Sequence, residues 1–365
     1  MGENPTLRGD VKMEDHRTQN IFDESEISSL LSQRLEIERA HLQGSLKRIQ
    51  SINPPSETFK NDWRTFNHSG ELNLGSTIRL AEDMALRRLR INPFSKPVKV
   101  AAVDVSTARL GPVEGGVLTA FRGCLVWKSA GKYRFYRYGP LITLLEVDDS
   151  ASEDEPWNGG EPSYNARAIS IMRNRLERTL QRAVVEVFED SLILFDGSLT
   201  AGTPDNPARS LKEILQTAAA NRNTVIGVSK DTQVLADGGK ITQLIRGEDE
   251  ASAVCLDDFM RKRFPTHPIH LLGRVYVAKM TNDGLTFRLD ISSRGSVEDD
   301  LRAIELLAGN DLHDHGYPET LRLAHILSSF TLNEILGMRS YVTVKFSVEV
   351  KEEFEVRKIL FGPFT

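Results

Sequence analysis

No stretch of this sequence stays apolar long enough to cross a bilayer as a helix, so a helical membrane protein is not expected. The first thirty residues are polar and charged, which speaks against a signal peptide and for a cytoplasmic location. Only two cysteines occur, Cys124 and Cys255, each within an apolar pattern and without metal-ligand spacing. A disulfide scaffold and a thiolate zinc site are thereby excluded, and a reducing compartment fits. The chain also lacks a global excess of basic charge: 46 lysines and arginines face 51 acids, a net charge of -5. A polyanion partner would therefore have to be met by local basic patches. There is no internal repeat and no low-complexity tract. What remains is 365 residues, 40% of them hydrophobic, enough for one large core or two.

Within that chain the stretch Ser191 to Leu199, SLILFDGSL, organises the rest. A short apolar run that ends in a turn signal reads as a buried strand delivering Asp196 to its carboxyl end. Open sheets place their ligands at such ends. Val98 to Thr107, VKVAAVDVST, repeats the design with Asp104. Two strands that each bring a carboxylate to one edge can hold a divalent metal.

Taken in order, residues 1 to about 22 read as a polar tail. Asp23 to Leu46 reads as an amphipathic helix closed by Pro54-Pro55. Two readings stand for it, a dimerisation or partner-binding arm and a helix packed on its own domain. Helical spacing also predicts a helix over Thr77 to Arg90, whose terminal Arg87, Arg88 and Arg90 complement its dipole or contact phosphate. Strands follow at Val98–Ser106, Gly116–Trp127 and Tyr133–Val147, then an acidic surface loop at Asp148–Glu161. A long helix over Ser163–Phe188 buries Ile169, Met172, Leu176, Leu180, Ala183 and Val187 and keeps four arginines off that stripe. Strands at Ser191–Asp196 and Thr224–Val228 complete the core. Beyond it the pattern predicts a helix at Ala251–Lys262 and strands at Ile269–Lys279 and Leu285–Ile291, joined by Asn282-Asp283-Gly284. Further helices are expected at Val297–Ala308 and Thr320–Leu336, and an alternating strand at Tyr341–Val348.

Strand, two strands, helix, strand is the element order of the ribonuclease-H-like fold, an α/β fold with a mixed sheet flanked by helices. In that fold the acids come from the first strand, the first long helix and the fourth strand, which nominates Asp104, Glu177 and Asp196. Glu177 sits at the edge of the buried stripe; the alternative is a salt bridge on an arginine-rich helix. Three carboxylates suit Mg²⁺ or Mn²⁺. Two such ions, ~3.5–4 Å apart, can activate water and stabilise the leaving oxygen of a phosphodiester. Lys230, at the end of its strand, either neutralises a phosphate, orients water or stands in solvent. His325 read from its helix alone is a satisfied core histidine, although imidazole also suits Mn²⁺ ligation or proton transfer. His313 and His315 fall in a polar loop and are read as structural or solvent-facing.

The run Gly316-Tyr317-Pro318-Glu319-Thr320-Leu321-Arg322-Leu323-Ala324-His325 resembles the C-terminal motif of the NurA nucleases. Asp196-Gly197-Ser198-Leu199, Gly227-Val228-Ser229-Lys230 and the segment YVAKMTNDGLTFRLD from Tyr276 to Asp290 are similar to further family segments. The resemblance covers about residues 95 to 345. It implies a ribonuclease-H-like core with an inserted barrel-like region at about 237–312, within a nuclease domain over 96–365 that follows an N-terminal tail and helical arm over 1–95. It implies a Mn²⁺-dependent DNA nuclease with 5′-to-3′ exonuclease and single-strand endonuclease activity. The partners implied are DNA, a second copy of the chain in a homodimer, and the hexameric HerA-type ATPase translocase of DNA end processing. The family's acids map to Asp104, Glu177 and Asp196, its tyrosine to Tyr317 and its histidine to His325. One departure is Asp104-Val105-Ser106 where the family has Asp-Gly-Ser; valine requires extended backbone there. Two rival classes are an actin-like or sugar-kinase-like ATPase, which wants a glycine missing from Asp104-Val105-Ser106-Thr107, and a catalytically inactive translocase-binding scaffold.

Overall fold

A computed structural model of the chain describes residues 27, 29–36, 87–113, 116–146, 163–203, 206–232, 234–236, 239–263, 270–292 and 295–350. Nine strands form the principal sheet: β1 (Arg88–Arg90), β2 (Lys99–Val113), β3 (Gly116–Ser129), β4 (Lys132–Glu146), β5 (Ser191–Asp196), β6 (Thr224–Ser229), β7 (Ser252–Cys255), β8 (Arg274–Lys279) and β9 (Thr286–Ser292). Their order across the sheet is β1-β7-β8-β9-β6-β5-β2-β3-β4. The meander β2-β3-β4 is antiparallel, β2, β5 and β6 run parallel, and the remaining strands join antiparallel. The sheet is therefore mixed. The hairpin β3-β4 closes in two residues, Ala130 and Gly131, both at positive φ, as the twist of a tight hairpin demands.

Parallel strands need long crossovers, and helices supply them here. Helix α1 (Ser163–Val187) leads from β4 to β5, and α2 (Ala208–Ala220) leads from β5 to β6. After the sheet's core come α3 (Asp257–Arg263), α4 (Val297–Asn310), α5 (Glu319–Ser328) and α6 (Leu332–Phe346). The strand period of two sorts the apolar residues onto two faces. Ala101, Val103, Val105, Ile193, Phe195 and Val225 pack against Met172, Leu176 and Leu180 of α1 and Leu211 and Ile214 of α2. Their neighbours Val100, Ala102, Leu192, Leu194, Ile226 and Val228 pack with Ile304 and Leu307 of α4 and Leu321 and Ala324 of α5. Strands covered on both faces read as continuous apolar runs, which is why β2 and β5 stand out in the sequence.

Several expectations require correction. Arg88–Arg90 is a strand, not the end of a helix, because Leu89 alone of the three is buried and the segment pairs with Ser252–Val254; residues 77–86 lie outside the described residues. The helix expected over Ala251–Lys262 divides into β7 and α3, with Asp257 and Asp258 in the first turn of α3. The helix expected over Thr320–Leu336 breaks at Ser329–Thr331, where Thr331 and Glu334 form a capping box that starts α6. The alternation in Tyr341–Val348 belongs mostly to α6 and not to a strand; a short apolar alternation is also compatible with helix, and the capped turn decides. The region expected to form an inserted barrel lends β7, β8 and β9 to the principal sheet, and no closed barrel forms among the described residues.

Of the N-terminal helix, residues 27 and 29–36 are described, and they pack on the chain's own core. Ile27, Leu31 and Leu35 are buried in the α1 cluster, and Arg34 Nε lies 2.7 Å from Glu186 Oε2. The acidic loop at Asp148–Glu161 lies outside the described residues. Among those residues no helix is long and apolar enough to cross a membrane.

Candidate metal centre

The parallel register pairs Ala102 with Leu194 and Val103 with Phe195, so the next residues in order, Asp104 and Asp196, are neighbours. The period of two turns both carboxylates to the α5 face, the face of Ala102 and Leu194. Helix α5 crosses β2 there, and its residues His325 and Ser328, three apart, share the face turned to Asp104. His325 Nδ1 lies 3.1 Å from Asp104 Oδ2 and 3.9 Å from Asp196 Oδ2. Ser328 Oγ donates to Asp104 Oδ2 at 2.6 Å. One ligand atom from each of Asp104, Asp196 and His325 falls within 4.8 Å of the others.

Asp104 is buried, and burial alone would raise its pKa; hydrogen bonds from His325 and Ser328, with the charges of His325 and Arg173, outweigh it and hold the carboxyl below its ordinary value. An ionised carboxylate only accepts, so His325 donates through Nδ1–H and keeps Nε2 for another partner. The bond to Asp104 raises the His325 pKa against burial and against the charge of Lys230.

The remaining nominated residues surround this trio in different ways. Lys230 Nζ bonds Asp196 Oδ2 at 2.8 Å and stands 5.5 Å from the centre of the Tyr317 ring. Tyr317 packs on Phe287, with ring centres 5.4 Å apart. Among the described residues its buried hydroxyl has no hydrogen-bond partner, and burial followed by the charges of Asp196 and Asp104 pushes its pKa well up. Glu177 does not join the trio: it comes from α1, on the opposite face, and its Oε1 accepts from Gln181 Nε2 at 2.9 Å. The charges of Asp104 and Asp196 still reach it. Burial raises its pKa first, Arg178 and Arg173 oppose, and the two aspartates add to the rise. His315 is exposed and His313 is half-buried, both away from the trio.

Three residues at the site were not singled out from the sequence. Ser328 was legible as the position one turn after His325. Arg173, whose Nε donates to the Val105 carbonyl at 3.1 Å, carries no local signal that separates it from the other arginines of α1. Asp290 of β9 accepts the Leu199 N–H at 2.9 Å and so fixes the turn after Asp196 from below; it is paired with Arg288, both 1% exposed. Gly197 N–H donates to the Val228 carbonyl at 2.9 Å, bringing the same turn onto β6.

Two carboxylate oxygens and an imidazole nitrogen form a donor set that suits Mn²⁺ well and Mg²⁺ through its oxygens. The unpartnered Tyr317 hydroxyl, within reach of both aspartate charges, leaves a polar group for a bound ligand or its water. The residues present thus fit a divalent cation.

A family model, the NurA domain, matches residues 98–330. Among solved structures, the crystal structure of the NurA nuclease from Sulfolobus solfataricus is 15% identical, with 72% of this chain and 88% of that one covered at a TM-score of 0.49. A further crystal structure of NurA is 10% identical, covering 86% of this chain and 97% of that one, with a TM-score of 0.46. The structure of NurA bound to dAMP and manganese is 9% identical, covering 70% and 90%, with a TM-score of 0.41. No curated protein matches the chain.

Proposed function

The chain belongs to the NurA family, and from that premise we propose that it is a divalent-metal-dependent nuclease that hydrolyses the phosphodiester backbone of DNA. The observation that carries this reading is the convergence of Asp104, Asp196 and His325 from three separate elements. In the core, β4-β3-β2-β5-β6 follow the strand order of a ribonuclease-H-like fold, which supports a nuclease domain within 96–365; the proposed N-terminal arm at 1–95 adds β1 to the same sheet.

Asp104, Asp196 and His325 would hold the cation, Mn²⁺ or Mg²⁺, with Glu177 as the candidate to complete a two-ion site. Bound there, such ions lower the pKa of water and stabilise the leaving oxygen. The side chains divide the remaining work. Asp104 holds the His325 ring through Nδ1, which leaves Nε2 for another partner. Lys230 balances the charge of Asp196 and can shift its ammonium to a phosphate oxygen when DNA enters. Tyr317 offers its free hydroxyl beside the two aspartates to the same phosphate or to its water.

Cleavage from 5′ ends, single-strand endonuclease activity, work beside a HerA-type hexameric ATPase translocase in end processing, and a cytoplasmic location complete the proposal. The exposed side chains Leu332, Leu336, Tyr341, Val344 and Phe346 of α6 support the pairing of two copies.

The test is degradation of end-labelled linear DNA in Mn²⁺, Mg²⁺ or EDTA by the full chain and by a folded Asp196→Asn variant. Metal-dependent cleavage that disappears in the variant is the expected result. Equal cleavage by both removes the site from the chemistry. No cleavage by either, with the translocase present, replaces the nuclease by a scaffold.

A further inference from the structure

The hydroxyl of Ser328 is fully buried and has three oxygen neighbours: Asp104 Oδ2 at 2.6 Å, Ser106 Oγ at 2.9 Å and the His325 carbonyl at 3.0 Å. A serine hydroxyl has one proton to give. An ionised acceptor at the shortest distance takes it, because charge-assisted O–H···O⁻ bonds run at about 2.5–2.7 Å and are the stronger kind. The Ser106 hydroxyl then donates to Ser328, forming a relay Ser106–Ser328–Asp104. The ordinary role of such a helical serine, bonding a carbonyl one turn back, is already filled: Ser329 Oγ donates to the His325 carbonyl at 2.8 Å.

Both donors to Asp104, Ser328 Oγ and His325 Nδ1, load the same atom, Oδ2. Among the described residues no donor reaches Oδ1. We propose that Ser328 is a positioning residue that locks the Asp104 carboxylate with Oδ1 free for the divalent cation, and that Ser106 orients Ser328 in turn. The proposal rests on the reading that Asp104 is a cation ligand. It assigns an outer partner to a ligand, and such partners fix ligand orientation in metal sites. It also gives a use to the serine that follows Val105, since extended backbone at Val105 carries Ser106 toward α5.

The experiment is titration of the full-length protein with Mn²⁺ alone, read by the electron paramagnetic resonance of free Mn²⁺, with urea unfolding of the same samples. Ser328→Ala is expected to weaken Mn²⁺ binding about 10- to 100-fold. Ser106→Ala is expected to weaken it less, and to add nothing in the Ser328→Ala background, since it acts through that hydroxyl. A folded Ser328→Ala variant with unchanged affinity overturns the proposal, as does a Ser106→Ala loss that is the same in both backgrounds. If Ser328→Ala does not fold, Ser106→Ala decides alone: unchanged affinity overturns the relay. Asp196→Asn separates the two levels. Binding lost in Asp196→Asn and kept in Ser328→Ala upholds the metal site and removes the positioning role. A wild-type chain that binds no Mn²⁺ removes both.

Discussion

Gly227 of β6 lies under the carbonyl of Gly197 so closely that a Cβ on Gly227 would stand 2.6 Å from that oxygen. The turn that follows Asp196 rests on the bare backbone of the neighbouring strand. Gly227→Ala therefore has to lift this turn, and the nearer obstacle is backbone, which cannot swing aside like a side-chain tip. The expected result is a loss of about 1–3 kcal/mol in urea unfolding. Weaker Mn²⁺ binding should accompany it, because Asp196 moves with the turn. Wild-type stability and affinity in the variant would mean that the turn is not held this way.

Lys230 neutralises Asp196 while no cation is bound, and so competes for the carboxylate that a cation would need. Lys230→Gln should leave Mn²⁺ affinity equal or raise it a few-fold, yet lower kcat/KM on DNA by roughly 10- to 100-fold through the lost phosphate contact. Calorimetric Mn²⁺ titration beside steady-state cleavage separates the two effects. Weaker metal binding in this variant would make Lys230 a support of the metal site instead.

The Arg288–Asp290 pair is buried on the α1 side of the sheet, with Asp290 holding the Leu199 N–H as well. Arg288→Met leaves a buried charge alone and should cost about 3–5 kcal/mol in urea unfolding. Arg288→Met combined with Asp290→Asn should recover much of that loss, since an amide oxygen still accepts from Leu199 and no charge remains. Equal stability of the single and double variants would refute this account.

Arg122, buried with a side-chain exposure of 6%, pairs with Glu334 of α6, whose side chain is 34% exposed. The bond from Arg122, helped by the Thr331 N–H, holds the Glu334 carboxyl down to about 2. A carboxyl depressed in the folded state stabilises above its unfolded value of ~4.3 and loses that contribution as pH falls toward the folded value. With solvent screening the pair is worth on the order of 1 kcal/mol. Glu334→Gln should therefore be less stable than wild type by about that amount at pH 7. The gap should close between about pH 4.5 and 2. A gap independent of pH in chemical unfolding would assign the effect to something other than this charge.

The core strands were legible because each is covered on both faces. Burial from two sides writes a continuous apolar run, and in β5 the run stops at Asp196 itself. The C-terminal part was harder to read. Whether Thr320–Leu336 is one helix or two depends on a three-residue break and a capping box, which compete with an unbroken apolar period. The tyrosine, valines, threonine and phenylalanine of Tyr341–Phe346 favour strands by propensity, and the capped α6 overrides them. At the site, Asp104, Asp196 and His325 were each visible in their own elements. Their meeting, however, depends on α5 crossing β2 on one face and α1 on the other, which no spacing within an element records. Glu177 shows the same limit: its helix is legible in the sequence, whereas the bond its Oε1 accepts from Gln181 is not.

His325 is separated from Asp104 by 221 positions along the chain. Synthesis from the amino terminus therefore delivers both acidic strands, and the helices between them, well before the imidazole and the Ser328 hydroxyl exist. A chain ended before α5 lacks one member of the trio and the serine that donates to another. The order of translation thus withholds the finished centre until α5 has been made, for most of the chain's birth.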